Sequence, residues 1–302
     1  MNLSLVQFHS SVGVELPGLL YEQNSKSDKV AIYLHGNGSA GGFYSVELQN
    51  TLGKTLTDNG ISYLSFTNTG GHLIQSFDKV VGDKRERYKA GVAYELIKDC
   101  IQDIDGAVNF AKSKGYKHIY LLGSSTGANK ICVYDWYKKQ NDIEKYVLFS
   151  GGDDSGFYYQ SIGDDRFEHV LKLCESRIKS GKGRNFVPKY ISEMPISFQS
   201  LYDQINPEGD YNCFPYYWML NSIKIMKKEP FREIKSITKP SLVLYGGQDE
   251  FCYGKVPECV DILKKALSGK SNFQYGIIPD ADHSFFGKRP ELAQIIKKFL
   301  KE

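Results

Sequence analysis

The sequence lacks several features that would assign the protein to a specialised class. Its 302 residues contain no uncharged apolar run long enough to cross a bilayer. The 38 lysine and arginine residues nearly balance the 35 aspartate and glutamate residues, so the composition does not indicate a basic surface for nucleic acid. The N-terminal residues do not combine a basic segment with an apolar core, as a secretory signal would. We therefore expect no membrane span, no nucleic-acid partner and no secretion.

The sequence is also sparse in cysteine and has no metal-binding spacing. Its six cysteines form no C-x-x-C pair, and a chain of this length does not need disulfides to be stable. This pattern predicts free thiols in a reducing compartment, so a cytoplasmic location is expected. The neighbouring aspartates, Asp164 with Asp165 and Asp280 with Asp282, lack clustered histidine or glutamate at ligand spacing, and solvated turns explain them better. We expect neither a metal ion nor a cofactor.

The most informative pattern that is present is GSSTG at residues 123–127. It follows the apolar residues 118–122 and precedes a stretch compatible with a helix, so it predicts a strand, a sharp turn and a helix. The G-x-S-x-G spacing is typical of a nucleophilic serine, because glycines two residues away on each side allow close approach of the backbone. Ser125 is the predicted nucleophile. A plain Gly/Ser-rich turn is the alternative, and Ser124 fits only if the motif shifts by one residue.

A serine hydroxyl needs a general base and a third group that orients this base. Asp249 follows the predicted strand 240–245, and His283 follows the predicted strand 273–279. The chain order serine, aspartate, histidine is that of the α/β-hydrolases. We therefore predict a triad of Ser125, Asp249 and His283. Asp153 and Asp154, after an earlier strand, are alternative positions for the acid.

Backbone amides that stabilise an oxyanion are the remaining requirement for acyl transfer. The segment HGNG at residues 35–38 follows the predicted strand 29–34. We predict that the N–H groups of Asn37 and Thr126 bind the oxyanion, and we favour Asn37 over Gly38. The imidazole of His35 is expected to be structural.

Together these motifs resemble the α/β-hydrolase superfamily over nearly the whole chain. They are HGNG at residues 35–38, G-x-S-x-G at 123–127, G-x-D at 247–249 and DH at 282–283. The segment from residue 93 to the SSTG of the elbow further resembles a branch related to fungal siderophore esterases. This resemblance implies an esterase.

The pattern of elements predicts an α/β fold. Strands and helices alternate along residues 1–150, which predicts a mostly parallel central sheet with helices on both faces. Predicted helices include 43–57 and a long one over 91–114. We expect residues 1–150 and 236–302 to form the hydrolase core.

Residues 151–235 contain no clear strand, and so long a connection favours a separate functional element. We predict that they form a cap over Ser125; a loose excursion packed to one side is the alternative. The cap contains six aromatic residues that either line a substrate pocket or form the cap's own core: Tyr158, Tyr159, Phe214, Tyr216, Tyr217 and Trp218.

The resulting prediction is a serine hydrolase that cleaves a small-molecule carboxylic ester through an acyl-enzyme. An amide or peptide hydrolase with the same triad is one alternative, because the motifs do not separate the two reactions. A non-catalytic binding protein with the hydrolase fold is the other.

Overall fold

The computed structural model describes residues 1–25, 27–39 and 41–302. Ten strands occur in this part of the chain: β1 (Asn2–His9), β2 (Glu15–Glu22), β3 (Lys29–Leu34), β4 (Ser62–Phe66), β5 (Gln75–Val81), β6 (Lys84–Ala90), β7 (His118–Ser124), β8 (Ile143–Phe149), β9 (Ser241–Gly246) and β10 (Phe273–Ile278). The helices in this part are α1 (Gly41–Tyr44), α2 (Val46–Thr57), α3 (Cys100–Ser113), α4 (Thr126–Tyr137), α5 (Asp154–Ile162), α6 (Asp164–Lys179), α7 (Phe198–Ile205), α8 (Tyr216–Leu220), α9 (Arg232–Lys235), α10 (Val256–Ala266) and α11 (Arg289–Lys301).

Eight of the described strands form one central sheet in the order β1-β2-β4-β3-β7-β8-β9-β10. The pairs β1/β2 and β2/β4 are antiparallel, and the other pairs are parallel. The carboxyl ends of β3, β7, β9 and β10 therefore meet at one edge of the sheet, where open α/β sheets bind ligands.

Helices cover both faces of this sheet. Alternate residues of a strand point to opposite sides, so the buried strands present apolar side chains to both helical layers. On β3, Val30 and Ile32 are buried in one hydrophobic cluster together with Ile104 of α3. The neighbouring Ala31 is buried in a second cluster that contains Leu52 of α2 and residues of α11. The predicted α/β-hydrolase fold, with a mostly parallel sheet between two helical layers, is confirmed.

The long helix predicted over residues 91–114 is wrong in its first part, because α3 begins at Cys100. Gly91 has a φ of 94°, and its N–H donates to the carbonyl of Thr69. Leu96 is extended, so the chain turns before it enters the helix. Residues 91–96 contain apolar residues at helical spacing, but the backbone N–H groups of residues 91–93 bond to carbonyl groups of the segment after β4 instead.

The sequence analysis also missed the separate hairpin of β5 and β6, which are antiparallel. A two-residue turn, Gly82 and Asp83, joins the two strands, and Gly82 has a φ of 58°. Gly-Asp between two strand-like runs is a hairpin signal. The many charged residues of β6 obscured the alternating pattern.

The segment between β8 and β9 contains the helices α5 to α9. Its hydrophobic cluster includes Phe167 and Val170 of α6, Leu201 of α7 and Trp218 of α8. This segment therefore has apolar packing of its own. Its designation as a cap over residues 151–235 stays a prediction.

A buried ion pair fixes the elbow helix α4 to the loops that precede α3. Nζ of Lys130 lies 2.5 Å from Oε1 of Glu95, and the two side chains are only 0% and 2% exposed. The same ammonium group donates to Oδ1 of Asn68, which follows β4, over 3.1 Å. A Cβ added to Gly70 would lie 1.8 Å from Oε1 of Glu95, so the carboxylate occupies space that only glycine leaves free.

We predict that Lys130→Met lowers the free energy of unfolding by about 3–5 kcal/mol, because it leaves the Glu95 carboxylate buried without its counter-charge. The double variant Lys130→Met with Glu95→Leu should recover most of this loss. Urea unfolding monitored by circular dichroism measures both effects. Lys172→Met is the matched control, because Lys172 forms an exposed pair with Glu168 and such pairs contribute about 0–1 kcal/mol. Equal losses in the Lys130 and Lys172 variants would contradict the prediction.

Candidate active site

Ser125 lies at the apex of a sharp turn between β7 and α4. Its backbone has φ 54° and ψ −126°, a conformation that a residue with a side chain rarely adopts. The flanking glycines are required by close contacts: a Cβ on Gly123 would lie 2.3 Å from the carbonyl oxygen of Gly127, and a Cβ on Gly127 would lie 2.1 Å from that of Leu34. The turn thus has the backbone of a nucleophile elbow.

The loop after β3 packs directly against this turn. A Cβ on Gly36 would lie 3.0 Å from the Cβ of Ser125 and 3.5 Å from its Oγ. Among the residues that the structure describes, no acceptor bonds to the backbone N–H of Asn37 or of Thr126. The side-chain Oδ1 of Asn37 is buried and also lacks a partner there. The two amides are therefore free to donate to a ligand, and their role as oxyanion donors stays a prediction.

His35 holds this loop from below. Its ring is buried, with Nδ1 2.8 Å from the carbonyl oxygen of Gly36 and Nε2 3.1 Å from the backbone nitrogen of Asn68. Because Nε2 faces an N–H donor, Nε2 accepts and Nδ1 carries the proton. Burial and, to a smaller extent, the charge of Lys130 lower the pKa of His35 to about 3. His35 is thus a neutral residue that orders the loop, as the sequence suggested.

Asp249 and His283 come together at the ends of β9 and β10. Oδ1 of Asp249 lies 2.8 Å from Nδ1 of His283 and also accepts from the backbone N–H of Phe251 over 3.0 Å. Asp249 is 1% exposed, whereas the side chain of His283 is 15% exposed. The backbone N–H of His283 donates to Glu250 over 3.0 Å, and the ring of Phe251 packs against the imidazole. These contacts therefore fix the Asp249 carboxylate and the orientation of the His283 ring relative to each other.

The carboxyl group of Asp153, an alternative candidate for the acid, forms hydrogen bonds with groups other than the histidine. Its carboxylate accepts from the backbone N–H groups of Gly156 and Tyr217 and from the hydroxyl of Tyr253. Burial raises the pKa of Asp153 to about 7, although these hydrogen bonds oppose the shift. The side chain thus caps α5 and fixes it to α8. The histidine bonds to Asp249 instead.

Ser125 and His283 line one cavity of about 960 Å³. A volume near the upper end of the usual range for ligand pockets accommodates a drug-sized molecule. Asn37 also lines it, whereas Thr126 is buried directly behind Ser125 and its hydroxyl lies 3.3 Å from that of Tyr211. Four of the five predicted site residues therefore lie in or directly behind the cavity wall, and Asp249 supports the wall through His283.

Most of the aromatic residues singled out in residues 151–235 lie outside the cavity lining. Tyr158 lines the cavity, and so does Phe157 beside it. Tyr159 packs edge-on against the buried Trp218, with ring centroids 4.7 Å apart. Phe214 and Tyr216 are also buried in the core. Trp218 and Tyr159 therefore pack within the segment's own hydrophobic cluster, which was one of the two expected roles. Phe214 and Tyr216 have neither expected role, because they pack in the cluster that includes residues of the central sheet.

The described part of the chain contains neither a helix that could span a membrane nor a cluster of metal ligands. None of its helices combines the length and the apolar character that a bilayer crossing requires. No group of three or more histidine, cysteine, aspartate or glutamate side chains there is placed to hold a metal ion.

Several solved structures share the fold of this chain. An esterase from Pyrococcus furiosus superimposes with a TM-score of 0.61 at 18% identity, and the match covers 99% of this chain and 91% of the esterase. The esterase Est1E from Butyrivibrio proteoclasticus, solved with ferulic acid bound, has a TM-score of 0.58 at 15% identity over 98% of each chain. An esterase from Exiguobacterium antarcticum has a TM-score of 0.57 at 14% identity, over 98% of this chain and 99% of the other. At these identities the similarity demonstrates the fold alone.

Sequence comparison gives a family. No curated protein matches the chain. A family model described as "Protein of unknown function (DUF1749)" matches residues 91–301, a range that includes Ser125, Asp249 and His283. This range is more than half of the chain. The protein therefore belongs to the DUF1749 family and has the α/β-hydrolase fold.

Proposed function

We propose that this protein is a serine hydrolase that cleaves a carboxylic ester through an acyl-enzyme. One observation carries the proposal. The strained serine and the histidine line the same cavity, and the histidine is held by a buried aspartate 2.8 Å from its Nδ1. An ordinary Gly/Ser-rich turn would need neither the strained backbone of Ser125 nor an oriented base beside it.

The proton movements follow from the Asp249 contact. A carboxylate only accepts, so Nδ1 of His283 donates to Asp249, and its Nε2 is free to remove the proton from Ser125. Ser125 Oγ then attacks the acyl carbon, and the developing imidazolium is stabilised by Asp249. The C–O bond of the ester then breaks, and His283 gives the proton to the leaving oxygen, so the alcohol is released. Water, deprotonated by the same imidazole, attacks the acyl-enzyme, and His283 returns the proton to Ser125 as the acid leaves.

The oxyanion of each tetrahedral intermediate needs N–H donors that are already in place. The backbone N–H groups of Asn37 and Thr126 have no acceptor within the described structure. The neutral ring of His35 orders the loop that contains Asn37. Preorganised donors of this kind typically contribute on the order of 100- to 1000-fold in rate each. This geometry supports the assignment of the two amides as the oxyanion hole.

An ester is favoured over an amide by the structural neighbours, whose names describe esterases. The triad itself is compatible with both reactions. The narrower placement beside fungal siderophore esterases and a cytoplasmic location remain part of the proposal. Direct assays on matched esters and amides with the same acyl group separate the two reactions.

We predict that Ser125→Ala abolishes the hydrolysis of 4-nitrophenyl acetate and butyrate, because it removes the attacking oxygen. Ser124→Ala should keep most of the activity, since Ser124 ends β7 and precedes the apex of the turn. Steady-state rates of the two purified variants, each with a native circular dichroism spectrum, provide the test. Activity that survives in Ser125→Ala and is lost in Ser124→Ala would disprove the assignment.

We predict that Asp249→Asn lowers kcat by on the order of 10³- to 10⁴-fold, because the amide stabilises the wrong imidazole tautomer. Asp153→Asn is the matched control, as both carboxyl groups are buried and both accept from backbone N–H groups. Asp153→Asn should lower the midpoint of thermal unfolding clearly but lower kcat only mildly. A crippled kcat in Asp153→Asn with a near-normal one in Asp249→Asn would place the acid after β8 instead.

A further inference from the structure

One face of helix α5 forms part of the cavity wall. Asp154, Phe157, Tyr158 and Ser161 all line the cavity, and their spacing of three, four and seven residues places them on one side of a helix. Asp154 is the first residue of this face. The orientation of the helix therefore presents a carboxyl group to the same space that Ser125 lines.

The carboxyl group of Asp154 lacks the three hydrogen-bond donors that its neighbour Asp153 has. Within the described residues, Oδ2 of Asp154 is buried and has no hydrogen-bond partner, and no ion pair involves this side chain there. Burial raises the pKa of Asp154 to about 6, and the hydrogen bond from its own backbone N–H opposes this shift. A partly buried carboxylate without a counter-charge is unfavourable, and a cationic donor relieves this cost.

The other charged side chains of the lining have partners already. Arg289 pairs with Glu47 and also contacts the carbonyl oxygen of Ser284. Glu250 accepts the backbone N–H of His283. Arg289 thus has a counter-charge, and the carboxylate of Glu250 is exposed to solvent. Among the described residues, Asp154 is instead a partly buried carboxyl group that forms no ion pair.

The wall around α5 is mostly apolar, although Ser161 and Gln204 also line it. Phe157 and Tyr158 continue the same helical face, and α7 adds Leu201 and Ile205. A ligand that fits this part of the cavity combines an alkyl stem with a positively charged end, because apolar walls bind the stem and the carboxylate binds the charge.

We propose that Asp154 binds an ammonium group of the substrate, so that the preferred esters carry a primary or substituted amine on an aliphatic stem. This inference rests on the proposed function, since it concerns the same cavity. Asp154 is here a specificity-determining residue and takes no part in the proton transfers. A neutral ester is therefore hydrolysed without it.

The test is equilibrium binding of hexylammonium chloride and of hexanol to the full-length protein, measured by calorimetry at pH 7 and constant ionic strength. The two probes have the same stem and differ in charge. We expect hexylammonium to bind about tenfold more tightly or better, because its ammonium group adds an attraction between opposite charges that the hydroxyl of hexanol lacks. Asp154→Asn should remove this preference and leave the binding of hexanol unchanged, so hexanol also reports whether the variant keeps the cavity.

Glu193→Gln is the matched control. It removes one negative charge next to the lining residues Ser192 and Met194, but Glu193 itself is exposed and outside the lining. The preference for hexylammonium should persist in this variant. Equal affinity of the unmodified protein for both probes would overturn the proposal, and so would an undiminished preference in Asp154→Asn. An equal loss of preference in Glu193→Gln and Asp154→Asn would also overturn it. That result would indicate long-range attraction by the negative charge of the protein, and not a direct contact with Asp154.

These outcomes are independent of the proposed hydrolysis. Binding of the two probes requires no turnover, so a failure of ester hydrolysis leaves the preference measurable. Conversely, an active esterase without any preference for the ammonium probe would retain the proposed function and reject the role of Asp154.

Discussion

The strained turn at Ser125 is the constraint on which the site depends. A positive φ at a serine is unfavourable, so surrounding contacts must hold it. Those contacts are close: the carbonyl oxygen of Leu34 occupies the space beside Gly127, and Gly36 touches the side chain of Ser125. The ends of β3 and β7 and the start of α4 are therefore packed as one unit. Any side chain on the two elbow glycines would force them apart.

The neighbouring elements support this unit in two directions. His35, neutral because it is buried, bonds the loop after β3 to the loop after β4. Lys130 of α4 reaches the same loop through Asn68 and pairs with Glu95. On the other side, the parallel pairing of β9 and β10 brings Asp249 and His283 together although 34 residues separate them along the chain. Helix α5 then closes the cavity with Asp154 on its inner face.

The sequence predicted the parts of the structure that depend on local patterns. Buried parallel strands are continuous apolar runs, and residues at their ends meet at one edge, so Ser125, Asp249 and His283 were predictable from strand positions. The hairpin of β5 and β6 was missed because its strands are largely exposed and charged. The helix over 91–114 was extended too far because apolar spacing does not reveal that Gly91 turns the backbone and bonds to Thr69.

Contacts between segments that are distant along the chain could not be predicted from the sequence. Nothing local pairs Glu95 with Lys130, and the different roles of Asp153 and Asp154 follow only from the placement of α5 and α8. Adjacent carboxyl groups in one sequence motif thus have unlike surroundings. The first is satisfied by three donors, and the second faces the cavity.

The central claim is that Ser125, which the strained turn positions and His283 deprotonates, is the nucleophile. Treatment with a fluorophosphonate, followed by proteolysis and peptide mass spectrometry, measures this directly. The account predicts a single covalent adduct on Ser125, formed much more slowly in a His283→Ala variant. A folded protein that forms no adduct, or one whose adduct lies on Ser124, would contradict it.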